Sequence, residues 1–192
     1  MSRSTLRRSP ATALLVMAAS LAHATPASAD VRDQVIRDQS NGFTNILVPD
    51  RAAPGSPIRS VPRIGKTTAT PPSQLWRRES ARNGRGTINL VHVPSIDDGD
   101  RQLCLDVQGD STQAGAALVL RPCDGTDSQA WRNLSTSPFT QLENRGSRLK
   151  AELVGGRLVQ NGFPNRNDAD VRDRNRLQGF SIVPATFGIG GA

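Results

Sequence analysis

The chain is poor in the residues that build metal and redox centres. Its 192 residues include two cysteines, two histidines and no tyrosine. One histidine, His23, lies in an N-terminal segment with the pattern of an export signal, so the exported chain would keep only His92. A zinc site of the usual His and Cys type is therefore excluded, and we expect neither a metal nor a cofactor. His92 itself lies in a strand-like pattern and is expected to be structural or exposed.

Long regular hydrophobic patterns are also missing. Glycine, proline, asparagine and aspartate recur every few residues, and the apolar runs between them are short and lack helical periodicity. This distribution is typical of an all-β sandwich or barrel. After the N-terminal segment, no apolar run is long enough to cross a bilayer, so we expect no membrane insertion.

The first residues have the pattern of a secretory signal peptide. Arginines precede an apolar stretch at residues 11–21, and small residues at Ala27 and Ala29 follow it. This order of charge, apolar stretch and small residues is typical of a cleaved signal. We expect residues 1–29 to be removed after Ala29 and the remaining chain to be secreted or periplasmic.

The charge is basic, and almost all of the basic residues are arginines, with a formal net charge of +7. The net charge falls to about +4 when residues 1–29 are left out. The remaining arginines are scattered, and many lie beside aspartate, as in residues 170–174. This pattern favours a solvated surface of mixed charge over a basic patch that binds nucleic acid directly.

A hairpin-like unit lies between the two cysteines. The sequence LCLDV at residues 103–107 alternates apolar side chains with Cys104 and Asp106, which predicts a half-buried strand. Turn-forming residues follow, and a second apolar run leads to Cys123. In an exported chain these two cysteines are expected to form a disulfide. Closing a loop of this size would contribute about 3 kcal/mol.

A glutamine occurs three times at two residues before a large aromatic residue. The pairs are Gln74 and Trp76, Gln129 and Trp131, and Gln178 and Phe180. The spacings between the glutamines are 55 and 49 residues. We expect the aromatic side chains to share one core and a buried glutamine to bond the backbone of its adjacent turn. Three such copies predict a closed barrel with pseudo-threefold symmetry.

These repeats place one domain at residues 30–184. The repeats are expected at residues 34–80, 86–135 and 138–184. Residues 52–72 are rich in proline and are expected to form an extended loop or an insertion in the first repeat. The glycine-rich residues 185–192 are expected to form a flexible tail.

The segment from the Cys-Leu-Asp-Val strand to the Gln-x-Trp ending resembles one repeat of the ricin-B-type β-trefoil lectin family. The resemblance implies an all-β, β-trefoil fold and a non-catalytic module that binds carbohydrate. It implies that a carboxylate orients the sugar and that polar residues near Gln-x-Trp complete the site. The candidate ligand residues are Asp106, Arg121, Asp127, Ser128 and Gln129. Arg121 stands where the family has an aromatic residue that stacks on the sugar. A turn-bonding role for Asp106 and a scaffold role for Gln129 stay open.

The other two repeats depart from the family pattern. In the third repeat, residues 148–151 align with Cys-Leu-Asp-Val, so that Lys150 replaces the acid. In the first repeat, residues 44–47 take this place and contain no acid. We therefore expect at most one of the three pockets to be intact.

A narrower resemblance is to the A and C subunits of cytolethal distending toxins. It lies in the signal peptide, the proline-rich stretch, the strand-loop-strand at residues 89–107 and the ending at residues 180–184. The likeness implies a lectin-like subunit that, with a second trefoil subunit, carries a nuclease-like subunit to host-cell glycoconjugates. The chain has only two tryptophans and five phenylalanines, and most of these are needed for the core, which leaves no clear aromatic cluster for cell attachment.

Three other functions stay open. The chain could be a free-standing secreted lectin, or a trefoil that binds a protein, such as a protease inhibitor, because the fold does not choose between these ligands. A glycosidase would need paired carboxylates, and Asp97, Asp98 and Asp100 cluster in one loop. Such loops are usually solvated turns and no second motif supports catalysis, so we expect no enzyme activity.

Overall fold

The computed structural model describes residues 33–64, 70–82, 84, 86–136, 139–162 and 175–185. The predicted signal peptide at residues 1–29 and the tail after Ala185 lie outside the described residues. Within the described ranges, no helix is both long and apolar enough to cross a membrane.

The described residues form three consecutive sets of four β-strands. The first set is β1 (Asp33–Asp38), β2 (Asn45–Pro49), β3 (Ile58–Pro62) and β4 (Trp76–Ser80). The second is β5 (Thr87–His92), β6 (Leu103–Val107), β7 (Leu118–Pro122) and β8 (Trp131–Thr136). The third is β9 (Phe139–Asn144), β10 (Lys150–Val154), β11 (Arg157–Asn161) and β12 (Phe180–Pro184). Short 3-10 segments lie at Pro72–Gln74, Val93–Arg101, Gln108–Asp110 and Asp127–Gln129.

The strands close into a barrel that carries three hairpins. The first and fourth strands of each set pair in the ring β1–β4–β5–β8–β9–β12, and β12 returns to β1. The second and third strands of each set form the hairpins β2–β3, β6–β7 and β10–β11. All these pairs are antiparallel. This architecture is the β-trefoil predicted from the repeats.

Each set contributes one large aromatic side chain to a common core. Trp76, Trp131 and Phe180 are fully buried and belong to the same cluster of packed apolar residues. The indole Nε1 of Trp76 donates to the carbonyl of Leu47 at 2.8 Å, and that of Trp131 donates to the carbonyl of Leu105 at 3.1 Å. The two indoles therefore contact equivalent strands, β2 and β6, in their own repeats.

Two details of the sequence interpretation are corrected. Residues 103–107 are buried at all five positions, not on one face, because Cys104 lies in a disulfide and Asp106 lies beneath polar side chains of the same repeat. Residues 52–72 are not wholly a loop, since they contain β3, the third strand of the first repeat. The adjacent loop is fixed to β7, because the amide of Gly55 donates to the carbonyl of Leu120 at 2.7 Å.

His92 is a buried structural residue at the end of β5. Its ring lies 5.4 Å from the Trp76 ring, and Nε2 lies 3.2 Å from the carbonyl oxygen of Ser73. Burial lowers the pKa of His92, an effect that the hydrogen bond to Ser73 opposes in part. Nδ1 is buried without a hydrogen-bond partner, so a second proton on this ring would have no acceptor.

Candidate functional site

The hairpin β6–β7 is held at its open end by the predicted disulfide. Cys104 and Cys123 are bonded, with an S–S distance of 2.05 Å. The amide of Cys123 donates to the carbonyl of Gln102 at 2.8 Å, just before β6 begins. The disulfide prediction is confirmed, and the bond fixes the loop that leads to the Gln-x-Trp segment.

Gln129 joins the two sides of this hairpin. Its side-chain Oε1 accepts from the amides of Asp124 and Gly125 at 3.0 and 3.4 Å. Its Nε2 donates to the carbonyl of Pro122 at 2.7 Å and to Oδ2 of Asp106 at 2.9 Å. The expected bonds to backbone are therefore present, and with all its polar atoms bonded and none exposed, the glutamine acts as scaffold.

Asp106 is a buried carboxylate. Its side chain has 0% exposure, and Oδ1 has no hydrogen-bond partner. Burial raises the pKa of Asp106, while Gln129, Ser128 and Arg121 act in the opposite direction and Asp110 adds to the rise. The carboxylate that the sequence offers as the sugar acceptor is thus closed to solvent.

Arg121 lies between two carboxylates. Its Nε is 3.7 Å from Oδ2 of Asp106, and its Nη1 is 3.6 Å from Oδ2 of Asp110. The side chain is 37% exposed. The guanidinium therefore lies at the rim, next to Asp106 on one side and Asp110 on the other.

Asp110 is a site residue that is not predicted from the sequence, because it lies among the turn-forming residues that follow the strand at residues 103–107. Its side chain is 55% exposed, and Oδ1 accepts from the hydroxyl of Ser128 at 2.6 Å. Gly109 and Asp110 both have left-handed φ angles, 67° and 52°. A non-glycine residue in this region is uncommon and is most often Asn or Asp. The signal available in the sequence was an acid directly after a glycine, at the end of the strand that carries Asp106.

The contacts of the second repeat close into a polar ring. Asp124 is joined to Thr126 at 2.8 Å, and Thr126 lies 2.9 Å from Ser128, which bonds Asp110. From Asp110 the ring continues through Arg121 to the buried acid and the glutamine. The members of the polar ring are Asp106, Asp110, Arg121, Asp124, Thr126, Ser128 and Gln129.

A small polar pocket opens beside this ring, between loops of the second and third repeats. Its volume is about 210 Å³, below the roughly 300 Å³ at which small-molecule pockets usually begin. It is lined by Asp110, Ser111, Thr112, Thr126, Asp127, Ser128, Asn144, Gly146 and Ser147. Asp127 is paired with Arg145, whose Nη1 is 3.3 Å from Oδ1. Asn144 fixes the two loops together, because its Nδ2 donates to the carbonyl of Ser128 at 2.7 Å.

The third repeat keeps an acid that the sequence alignment misplaced. Gln178 donates through Nε2 to Oε2 of Glu152 at 2.5 Å and to the carbonyl of Gly162 at 3.0 Å. These contacts match those of Gln129, so Glu152 and not Lys150 stands where the second repeat has Asp106. The alignment was shifted by two residues, since nothing in residues 148–152 marks where the strand begins.

Lys150 has a structural position instead. It is buried, and its Nζ donates to Oε1 of Gln141. Burial lowers the pKa of Lys150, which Glu143 opposes. In the hairpin register, Lys150 faces Asn161 as Cys104 faces Arg121, so the lysine occupies the place of the disulfide cysteine.

The first repeat has no acid at this place, as predicted, but the residues that correspond to 104–107 are 46–49 and not 44–47, so this alignment was also shifted by two residues. Because Trp76 bonds the carbonyl of Leu47 as Trp131 bonds that of Leu105, the residue that corresponds to Asp106 is Val48. Gln74 is buried, and its Oε1 has no hydrogen-bond partner.

The described residues contain no group of three or more His, Cys, Asp or Glu side chains that could hold a metal ion. The side chains of Asp97, Asp98 and Asp100 lie outside the described residues. The glycosidase alternative, which would use these carboxylates as a pair, therefore stays open.

The fold and site define a β-trefoil with a disulfide-fixed, glutamine-centred polar site. The model of the family described as ricin-type beta-trefoil lectin domain-like matches residues 72–165, which hold the whole second repeat. The match and the fold support the family predicted from the sequence. No curated protein matches the chain.

Solved structures share the fold at low sequence identity. ThreeFoil, a designed three-fold symmetric protein, matches with a TM-score of 0.61 and 20% identity over 79% of this chain and 97% of its own. A Polyporus squamosus lectin, solved with a bound influenza-binding epitope, matches with a TM-score of 0.59 and 13% identity over 78% of this chain and 48% of its own. The Haemophilus ducreyi cytolethal distending toxin matches with a TM-score of 0.55 and 12% identity over 84% of this chain and 88% of the toxin chain.

Proposed function

We propose that the chain is an exported, lectin-like domain that binds carbohydrate without catalysis, through the pocket that borders the polar ring of the second repeat. The observation that carries the proposal is the small pocket beside the ring, which two aspartates and several hydroxyls border. Sugar hydroxyls are both donors and acceptors, and aligned carboxylate and hydroxyl oxygens suit them. The match of residues 72–165 to a lectin-like family supports the same class of ligand.

The wall of the pocket is already ordered by internal bonds. Ser128 is held by Asp110, and Asn144 holds the backbone of Ser128 from the neighbouring repeat. Binding would therefore not require a loop to become ordered. Ordering a loop is one of the free-energy costs that weaken binding. The small volume suits one sugar residue at the end of a longer glycan.

The test is affinity chromatography on immobilised sugars with a variant that fills the pocket. Thr112 lines the pocket and is exposed, so Thr112→Trp should block it without disturbing the core. Thr44 is an exposed threonine of the first repeat, and Thr44→Trp is the matched control. We expect retention by the wild type, release by free sugar, and loss of retention only in Thr112→Trp. Equal retention of both variants would contradict binding at this pocket.

We further propose that the domain delivers a partner to cells, as a subunit of a cytolethal-distending-type toxin. The fold likeness to the Haemophilus ducreyi toxin and the strand-loop-strand at residues 89–107 support it. Co-expression with the neighbouring genes should then give co-purification with a nuclease-like subunit and a second trefoil. A monomer that binds glycans alone would favour a free-standing lectin. Binding to a protein with no glycan retention would favour the protein-binding trefoil.

Export is proposed from the pattern of residues 1–29. N-terminal sequencing of the protein recovered from periplasm or medium should begin at Asp30. Recovery only from the cytoplasm, with residues 1–29 intact, would contradict export.

A further inference from the structure

Three carboxylates belong to the polar ring, and two of them, Asp106 and Asp110, differ sharply in accessibility. Asp106 has 0% side-chain exposure, whereas Asp110 has 55%. Only Asp110 also lines the pocket. A ligand that enters from solvent meets Asp110 first, and it can reach Asp106 only if the side chains around that residue move.

Arg121 lies between these two acids. Its ion-pair distances to Asp106 and Asp110 are nearly equal, 3.7 and 3.6 Å. Both distances exceed that of a hydrogen bond, so the guanidinium acts as a charge shared between two carboxylates. It partly neutralises the buried acid, which would otherwise be a costly group to keep in this place.

The side chain of Asp110 lines the pocket and is fixed there by a hydrogen bond. Its backbone is left-handed at φ 52°, directly after Gly109 at 67°, and its side chain is 55% exposed and lines the pocket. The hydroxyl of Ser128 bonds one carboxylate oxygen at 2.6 Å. Within the described residues, the ion-pair partner of the other oxygen is Arg121, and the distance of 3.6 Å leaves this oxygen able to accept from a ligand hydroxyl.

We propose that Asp110, and not Asp106, is the carboxylate that receives the ligand, and that Arg121 determines this choice by closing off the buried acid. The inference rests on the proposed carbohydrate binding and names the ligand class, a neutral glycan. Each aspartate that lines the pocket has an arginine partner, Arg121 for Asp110 and Arg145 for Asp127. In the described part of the pocket, the arginines are therefore already paired with aspartates and cannot compensate the charge of an acidic sugar. The negative charge of the buried Asp106 would also repel an acidic sugar.

The first experiment compares two matched substitutions on galactose-, N-acetylglucosamine- and mannose-agarose. Asp110→Asn keeps the left-handed turn, because asparagine tolerates this conformation. We expect it to weaken retention roughly tenfold or more, the usual effect of losing a charged hydrogen-bond acceptor. Asp106→Asn should leave retention within about twofold, since the amide can still accept from Gln129. Asp50→Asn, at an acid of the first repeat that is paired with Arg59, is the control for a general loss of charge.

The second experiment repeats Asp106→Asn in an Arg121→Ala background. We expect the substitution to be silent with Arg121 present and to weaken retention once Arg121 is removed. Sialyllactose and heparin columns should retain the wild type less than the neutral sugars do.

The outcomes separate this inference from the proposed function. Retention that Asp106→Asn abolishes and Asp110→Asn preserves would overturn the inference and leave carbohydrate binding standing. A silent Asp106→Asn in both backgrounds would overturn the role of Arg121. Preferred retention on heparin or sialyllactose would overturn the neutral ligand. Failure of the wild type to bind any sugar would overturn the proposed function as well.

Discussion

Trp131 gives the most direct test of how the barrel is held together. The indole is fully buried in the common core, and its Nε1 donates to the carbonyl of Leu105 at 3.1 Å. Trp131→Ala removes this bond and leaves a large cavity, which should lower the free energy of unfolding by about 3–5 kcal/mol. Trp131→Phe keeps most of the apolar volume and should cost about 1–3 kcal/mol, chiefly from the lost indole bond. Phe180 occupies the corresponding core position in the third repeat, so a phenylalanine ring suits this kind of position.

The measurement is urea unfolding followed by circular dichroism, with Trp76→Phe as the control in the first repeat. Domains of this size are usually stable by about 5–15 kcal/mol, so Trp131→Ala should shift the midpoint severely or prevent folding. A loss below about 1 kcal/mol for Trp131→Ala would refute the shared core, since a buried indole cannot be deleted at that cost. A Trp131→Phe variant as unstable as Trp131→Ala would show that the indole bond dominates over volume.

Three further outcomes follow from the geometry. Replacing Cys104 and Cys123 by alanine should lower the free energy of unfolding by about 3 kcal/mol relative to the disulfide-bonded wild type, as measured by urea unfolding. The reduced wild type is the control and should unfold like the variant. Because burial raises the pKa of Asp106, the wild type should lose stability as the pH rises from about 4 through the pKa of the folded state. Asp106→Asn should therefore be the more stable protein at neutral pH. The melting temperatures of the two proteins should converge below about pH 4. Because burial lowers the pKa of His92, the wild type should lose stability as the pH falls from about 6.5 through the folded pKa, and His92→Phe should lack this part of the loss in urea midpoints between pH 8 and 4.5.

The fold could be predicted because its signals are local and repeated. Gln74, Gln129 and Gln178 each precede a buried aromatic residue by two positions, and a turn segment before each fixes the entry to the fourth strand. In a small barrel, large aromatic side chains at regular intervals are expected to pack together in the core. The disulfide was predictable for a similar reason, since the two cysteines flank one hairpin and have no competing partner.

The site was less predictable because its contacts depend on loop lengths. Asp106 lies 23 residues before Gln129, whereas Glu152 lies 26 residues before Gln178, so a fixed spacing places the acid wrongly in the third repeat. The sequence does not identify Asp110 as a site residue, because an acid after a glycine is more often a turn residue than a ligand-binding residue. Only the closed hairpin reveals that Ser128 and Arg121 meet it.

Comparison of the three repeats separates what the barrel needs from what the ligand needs. Each repeat buries a glutamine before its aromatic residue, but the corresponding position on the second strand is Val48 in the first repeat, Asp106 in the second and Glu152 in the third. The barrel closes in all three cases, so an acid at this position is not a requirement of the fold. A buried acid that the fold does not require and that solvent does not reach is open to substitution. Asp110, in contrast, is exposed and adopts a left-handed conformation, which has a conformational cost. We therefore expect the ligand to depend on Asp110 and not on Asp106, and the carbohydrate-retention experiments on Asp110→Asn and Asp106→Asn to differ in that direction.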